Sequence, residues 1–174
     1  MFRIKFFIFF VLITLLSSCS KDAVKENLIK EKSLELQVIE AYQEGLEALE
    51  GRDVLFAAKK FNEAEILFPQ GEWAPKSALM AAYSYYTQDY YGDAIAELER
   101  FISVYPFNKN LQYAYYLLAI CYYEQIVDEK KDLQSIVNAK KNFQLIVNKY
   151  PNTEYAIDAD FKLDLINDIL AAKE

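Results

Sequence analysis

Apart from its first residues, the chain shows apolar positions that recur every three or four residues rather than every two, which is the spacing of helices with one buried face. The pattern is punctuated at three places where an aromatic residue meets a proline: Phe68-Pro69, Tyr105-Pro106 and Tyr150-Pro151. Proline restricts the residue before it to extended geometry and cannot donate the backbone bond that a continuing helix needs, so each pair predicts a helix end. With only 4 Gly and 4 Pro in 174 residues, little else interrupts the helical pattern. The expected fold class is all-α.

Aligned on those prolines, the stretches superimpose. Counting back from Pro69 gives Ala64, Phe61, Ala57, Ala48 and Gly45; from Pro106, Phe101, Leu98, Ala94, Tyr85 and Ala82; from Pro151, Ile146, Phe143 and Ala139, with Tyr122 and Ala119 further upstream. Small residues at fixed positions let paired helices approach, and a phenylalanine fills the space between them. The offsets resemble those of the tetratricopeptide repeat, a helix pair with a period of about 34 residues. The interval from Pro69 to Pro106 is close to that period. The interval to Pro151 is longer, and the surplus is placed between the two helices of the third unit, in Gln125 to Gln134, where Asp128-Glu129-Lys130-Lys131-Asp132 predicts a solvated loop. A last helix is predicted from about Thr153 to Ala172, with Ile157, Phe161, Leu165, Ile169 and Leu170 on or near one face. It corresponds to the first half of a fourth unit. The expectation is therefore a helical solenoid of about three and a half repeats over residues 34–174, closed by that helix as a cap or continued beyond Glu174.

The N-terminus follows a different rule. Arg3 and Lys5 precede the apolar run Phe6 to Leu16, which is followed by Ser17 and Ser18. This is the anatomy of a signal peptide, and the run falls short of the about 20 residues that a membrane-spanning helix needs. Leu16-Ser17-Ser18-Cys19 resembles the lipobox of bacterial lipoproteins. That resemblance implies cleavage after a signal peptide of residues 1–18, acylation of Cys19, and a tether over residues 19–33. More than one acyl chain makes such an anchor stable. Ser20, where an aspartate would imply retention in the inner membrane, implies the periplasmic face of the outer membrane.

Charge and composition narrow the function classes. The formal net charge is −7, and the two basic residues Arg3 and Lys5 lie in the leader, so the remainder is more acidic still. Such a chain is repelled by phosphate backbones, and nucleic acid is excluded as an expected partner. The chain has no histidine, which removes the commonest general base and zinc ligand. Cys121 lies between Ile120 and Tyr122 on the helical pattern, where a small buried hydrophobe is expected. The acidic pairs Glu63/Glu65, Glu97/Glu99 and Asp158/Asp160 stand two apart, hence on different helix faces, and are expected to be solvated surface charges. The glycines are scattered, without a phosphate loop. No enzyme activity, metal or cofactor is expected.

Tyrosine is abundant, with 14 in the chain, concentrated on the first helix of each unit. On the repeat pattern the inner surface is lined by Tyr42, Leu46 and Leu49, then Lys76, Leu79, Tyr83 and Tyr86, then Tyr113, Tyr116, Ile120 and Tyr123. Rings that offer apolar area and a hydroxyl at low entropic cost suit an extended peptide carrying aromatics. The bland alternative is that several of these tyrosines pack against neighbouring helices or the tether.

From Tyr42 to Glu174 the chain also resembles the BamD family of tetratricopeptide lipoproteins, part of the machinery that assembles outer-membrane β-barrels. The resemblance is carried by Glu72-Trp73-Ala74, Leu79 to Tyr83, Tyr85-Tyr86, Ala96 to Phe101, Tyr113 to Leu117, Tyr122 to Gln125, and Pro151 to Ala156. It implies a non-enzymatic assembly factor whose N-terminal repeats engage unfolded outer-membrane proteins. The implied partners are the barrel-assembly subunit and accessory lipoproteins, together with the membrane through the lipid anchor. The family's usual five or so repeats imply further ones for partner docking, which have no counterpart up to Glu174. A second reading, from the same lipobox and repeats, is a pilotin-like structural scaffold of pilus or cell-envelope assembly.

Overall fold

A computed structural model of the chain describes residues 33–126 and 133–172. Within them lie seven helices and no strand: α1 (Leu34–Glu50), α2 (Val54–Leu67), α3 (Trp73–Tyr86), α4 (Tyr91–Val104), α5 (Leu111–Glu124), α6 (Leu133–Lys149) and α7 (Glu154–Ala171). Each packs against its neighbours in sequence, and short links make those neighbours antiparallel. The helices pair as α1/α2, α3/α4 and α5/α6, with α7 following as an unpaired first helix. The all-α repeat fold expected from the sequence is the observed one. The leader, Cys19 and the 128–132 loop lie outside the described residues.

The termini have local causes. Ser33, Asp53 and Thr153 cap α1, α2 and α7 by accepting hydrogen bonds from the backbone N–H groups of Leu36, Phe56 and Ala156. α2, α4 and α6 stop just before Phe68, Tyr105 and Tyr150, as the prolines dictate. The turns inside the first two units are equivalent. Each has a left-handed residue, Arg52 at φ 62° and Asp89 at φ 63°. The residue after it closes the turn, Asp53 N–H donating to the Ala48 carbonyl and Tyr90 N–H to that of Tyr85. The side-chain amide of Gln88 donates to the Arg52 carbonyl at 2.9 Å and ties the two turns together.

Packing repeats with the units. Phe61, Phe101 and Phe143, the phenylalanines of the sequence alignment, are all fully buried. Each meets small residues: a Cβ placed on Gly45 would lie 2.8 Å from the Phe61 ring, so only glycine allows α1 and α2 to approach this closely. Ala78, Ala82 and Ala94 do the same around Phe101, and Ala119 and Ala139 around Phe143. Cys121 is a buried free thiol in the middle core, and burial pushes it up to about 12, so it stays protonated.

One face was misplaced by periodicity. α7 turns Ala156, Ala159 and Ile166 inward, with Ile169 and Leu170 packed at the core edge. Ile157 is 76% exposed and Phe161 63%, and Leu165 also faces out. The two alanines, three apart, are what allow α7 to lie close on α5 and α6. A residue next to an alanine stands ~100° round the helix axis and so falls outside that contact.

A candidate peptide-binding face

The first helices of successive units place their tyrosines side by side. Lys76, Leu79, Met80 and Tyr83 of α3, Asn110 and Tyr113 at the start of α5, and Tyr155 of α7 line an open cleft of about 450 Å³. The rings that line it pair with one another or with neighbours: Tyr83 with Tyr86 at 6.3 Å, Tyr113 with Tyr155 at 5.8 Å, and Tyr155 with Tyr116 at 5.1 Å between centroids. These separations are those of favourable tilted aromatic pairs. Burial first, and neighbouring tyrosines after it, raise the Tyr113 hydroxyl above its ordinary pKa, so at neutral pH it is an uncharged donor and acceptor. At one end, the Lys76 ammonium sits 4.5 Å from the Trp73 ring centre and 4.8 Å from that of Tyr42. The cleft thus offers apolar walls, neutral hydroxyls and a single cation.

The residues expected on the inner wall divide into three groups. Lys76, Tyr83 and Tyr113 line the cleft, and Tyr86 adjoins it. Tyr116 and Tyr123 are engaged elsewhere: the Tyr116 hydroxyl donates to Asp158 Oδ2 at 2.6 Å, and Tyr123 rests against the Phe143 ring with Lys162 above it. Tyr42 is a correction. It is 6% exposed, held edge-on to Phe61 at 5.1 Å and against Trp73 at 4.9 Å, so it belongs to the first core because Gly45 opens space for Phe61 beside it. Leu79, though largely buried, lines the cleft as expected, whereas Ile120 is buried and Leu49 packs on the first core. Leu46 remains exposed, outside the cleft. Met80, Asn110 and Tyr155 were missed. Tyr155 reaches the cleft because α7 packs on α5, a contact between units that offsets within one unit do not contain.

The other side of the first two units corrects the expectation for the acidic pairs. Arg100 of α4 donates two hydrogen bonds to Glu65 of α2, at 2.8 and 2.7 Å, and a third to Glu97 at 2.9 Å. The Tyr105 hydroxyl donates to Glu65 at 2.6 Å, and the Asn62 amide to Glu97 at 3.2 Å. Glu65 is buried. Burial alone would raise its pKa, but the bonds from Arg100 and Tyr105 and the guanidinium charge outweigh it and hold the carboxyl below its ordinary value. Glu97, Glu99 and Asp158 likewise accept hydrogen bonds, Glu99 from the Tyr122 hydroxyl of the next unit at 2.9 Å, while Glu63 and Asp160 are exposed and Glu63 pairs with Lys60. The two-residue spacing does separate the faces, and at least one face of each pair meets another unit or helix.

Antiparallel helix pairs stacked around buried phenylalanines and alanines define a tetratricopeptide-repeat solenoid. Solved structures agree: the chain resembles the first tetratricopeptide domain of Spaghetti (RPAP3), bound to an HSP90 peptide, with a TM-score of 0.58 and 16% identity over 78% of this chain and 94% of that one. It also resembles the Arabidopsis OM64 tetratricopeptide domain, at a TM-score of 0.55 and 14% identity, over 75% of this chain and 97% of that one. Residues 35–174 match the YfiO family, described as outer membrane lipoprotein, and the chain belongs to that family. It is 41% identical over 159 residues to the outer membrane protein assembly factor BamD of Caulobacter vibrioides, covering 91% of this chain and 51% of that protein. The BamD of Rickettsia prowazekii is 39% identical over 133 residues, covering 76% and 53%. The chain spans about half the length of these relatives.

Proposed function

We propose that this protein is a lipid-anchored assembly factor for outer-membrane β-barrels, held by acylated Cys19 on the periplasmic face, whose inner surface takes unfolded segments of its clients. The cleft of Tyr83, Tyr113 and Tyr155 beside Lys76 carries this reading. Half-buried rings and neutral hydroxyls around an open groove suit an extended, aromatic-containing chain that still needs its backbone hydrogen-bonded. Family membership supports the same assignment, as relatives bear the name of outer membrane protein assembly factor. The barrel-assembly subunit and accessory lipoproteins are the partners in this reading, with no nucleic acid, metal or cofactor involved.

A photo-crosslinking residue placed at Tyr83 or Tyr113 in cells should capture nascent outer-membrane proteins, and one at Ile66, on α2 and outside the cleft, should not. Capture of no client at either cleft position, with the protein at normal levels, sinks the peptide-groove reading. Co-purification of a secretin or cell-wall protein in place of the barrel subunit would return the protein to the scaffold class.

A further inference from the structure

Because neighbouring helices are antiparallel, the solenoid has two edges of loops. One carries the start of α1 and the links between units, residues 68–72, 105–110 and 150–153; the other carries the turns inside units, around Arg52 and Asp89. On the first edge, Phe107 is 98% exposed, the most exposed large apolar side chain among the described residues. It stands over a groove shared with Trp73, Pro75 and Lys109, which brings two successive links together. Among the described residues, none covers the Phe107 ring.

The two edges differ in charge. On the Phe107 edge, Lys76, Lys109 and Lys149 balance Glu35, Glu72 and Glu154. On the other, among the described residues, Glu47, Glu50, Asp53, Asp89, Asp93 and Glu124 outnumber Arg52. The chain also enters the folded body at the Phe107 edge, through Ser33, with Leu34 and Leu36 exposed beside it.

We propose that the Phe107 edge is a phospholipid-binding surface, on which the solenoid stands with Phe107 inserted among the headgroups and Lys109 and Lys149 against lipid phosphates. This rests on the reading of Cys19 as the membrane anchor. A fully exposed aromatic ring flanked by lysines has the chemistry of an interfacial contact, and an anionic leaflet repels the opposite edge. The consequence is an orientation: helix axes upright on the membrane, with the tyrosine cleft opening sideways along the leaflet rather than away from it.

The test separates this contact from acylation itself. The chain from Cys19 onward is coupled through the Cys19 thiol to maleimide-bearing lipid in phosphatidylethanolamine and phosphatidylglycerol vesicles, Cys121 being buried and protonated. In a Trp73→Phe background, Phe107→Trp emission should be roughly halved by lipids brominated near the headgroup, and Tyr90→Trp, on the opposite edge, left unchanged. In the unaltered chain, coupling to vesicles should protect Lys109 and Lys149 from amine acetylation more than Lys59. Equal quenching at both tryptophans, quenching at neither, or equal labelling of the lysines overturns the proposal, the second outcome assigning Phe107 to a protein partner. Mass spectrometry of Cys19 from cells tests the anchor independently of these results.

Discussion

Two sides of the repeat stack, the junction of the first two units and the face shared by α3, α5 and α7, use similar residues in opposite ways. On one side Glu65, Arg100, Tyr105, Glu97 and Asn62 are joined by hydrogen bonds between 2.6 and 3.2 Å. On the other, Tyr83, Tyr113 and Tyr155 stand around an open cleft with Lys76 at its end, their rings only partly covered. The buried Glu65 carboxylate finds its partners within the protein, and those bonds fix how the second unit sits on the first. Half-buried rings with neutral hydroxyls carry no such obligation. They can exchange water for a peptide, which makes the second side the one suited to binding.

Replacing residues on each side sharpens this contrast. Arg100→Ala should be the most damaging, because it leaves the Glu65 carboxylate buried without its cation; after allowing for the 39% exposure of the Arg100 side chain, about 2–3 kcal/mol should be lost in urea unfolding. Tyr105→Phe removes one hydrogen bond to the same carboxylate and should lower stability by about 1–2 kcal/mol, with the fold's helicity unchanged by circular dichroism. Tyr83→Ala, in the cleft, should change stability by less than ~1 kcal/mol yet weaken client-peptide binding about fivefold or more in a fluorescence titration. A stability loss at Tyr83 as large as at Arg100 would erase the distinction between the sides.

The smallest expected effect is that of pH. The Glu65 carboxyl binds its proton less readily in the folded chain than in the unfolded one, where the ordinary value is 4.5. The stabilisation it gives is therefore complete above that value and declines as pH falls through the lower folded one. Between neutral pH and pH 5 the difference in unfolding midpoint between the native chain and Glu65→Gln should stay constant, and it should shrink only in more acidic solution. A difference that already falls between neutral pH and pH 5 would mean that Glu65 is not held as its charged form.

The helices, their ends and the three buried phenylalanines were legible in the sequence because each follows from local rules: a period, a proline after an aromatic, and small residues at repeated offsets. The Glu65 cluster was not legible. Arg100 lies one unit away from Glu65, and a two-residue spacing of acids says only that their faces differ, not which face is covered. Offsets along one helix locate Lys76, Tyr83 and Tyr113, but they cannot tell that Gly45 and Phe61 draw Tyr42 into a core or that Asp158 engages Tyr116.

The sequence by itself determined the class: a helical repeat of about three and a half units, its register and its acidic character. These depend on residues near one another in the chain, where periodicity and proline chemistry act. Only the tertiary structure decided which polar groups seal the unit junction, which tyrosines remain open to a ligand, and which face of α7 is left outside. Those outcomes depend on how closely helices from different units approach, and that distance is set by small residues such as Gly45, Ala156 and Ala159 acting on partners far away in sequence.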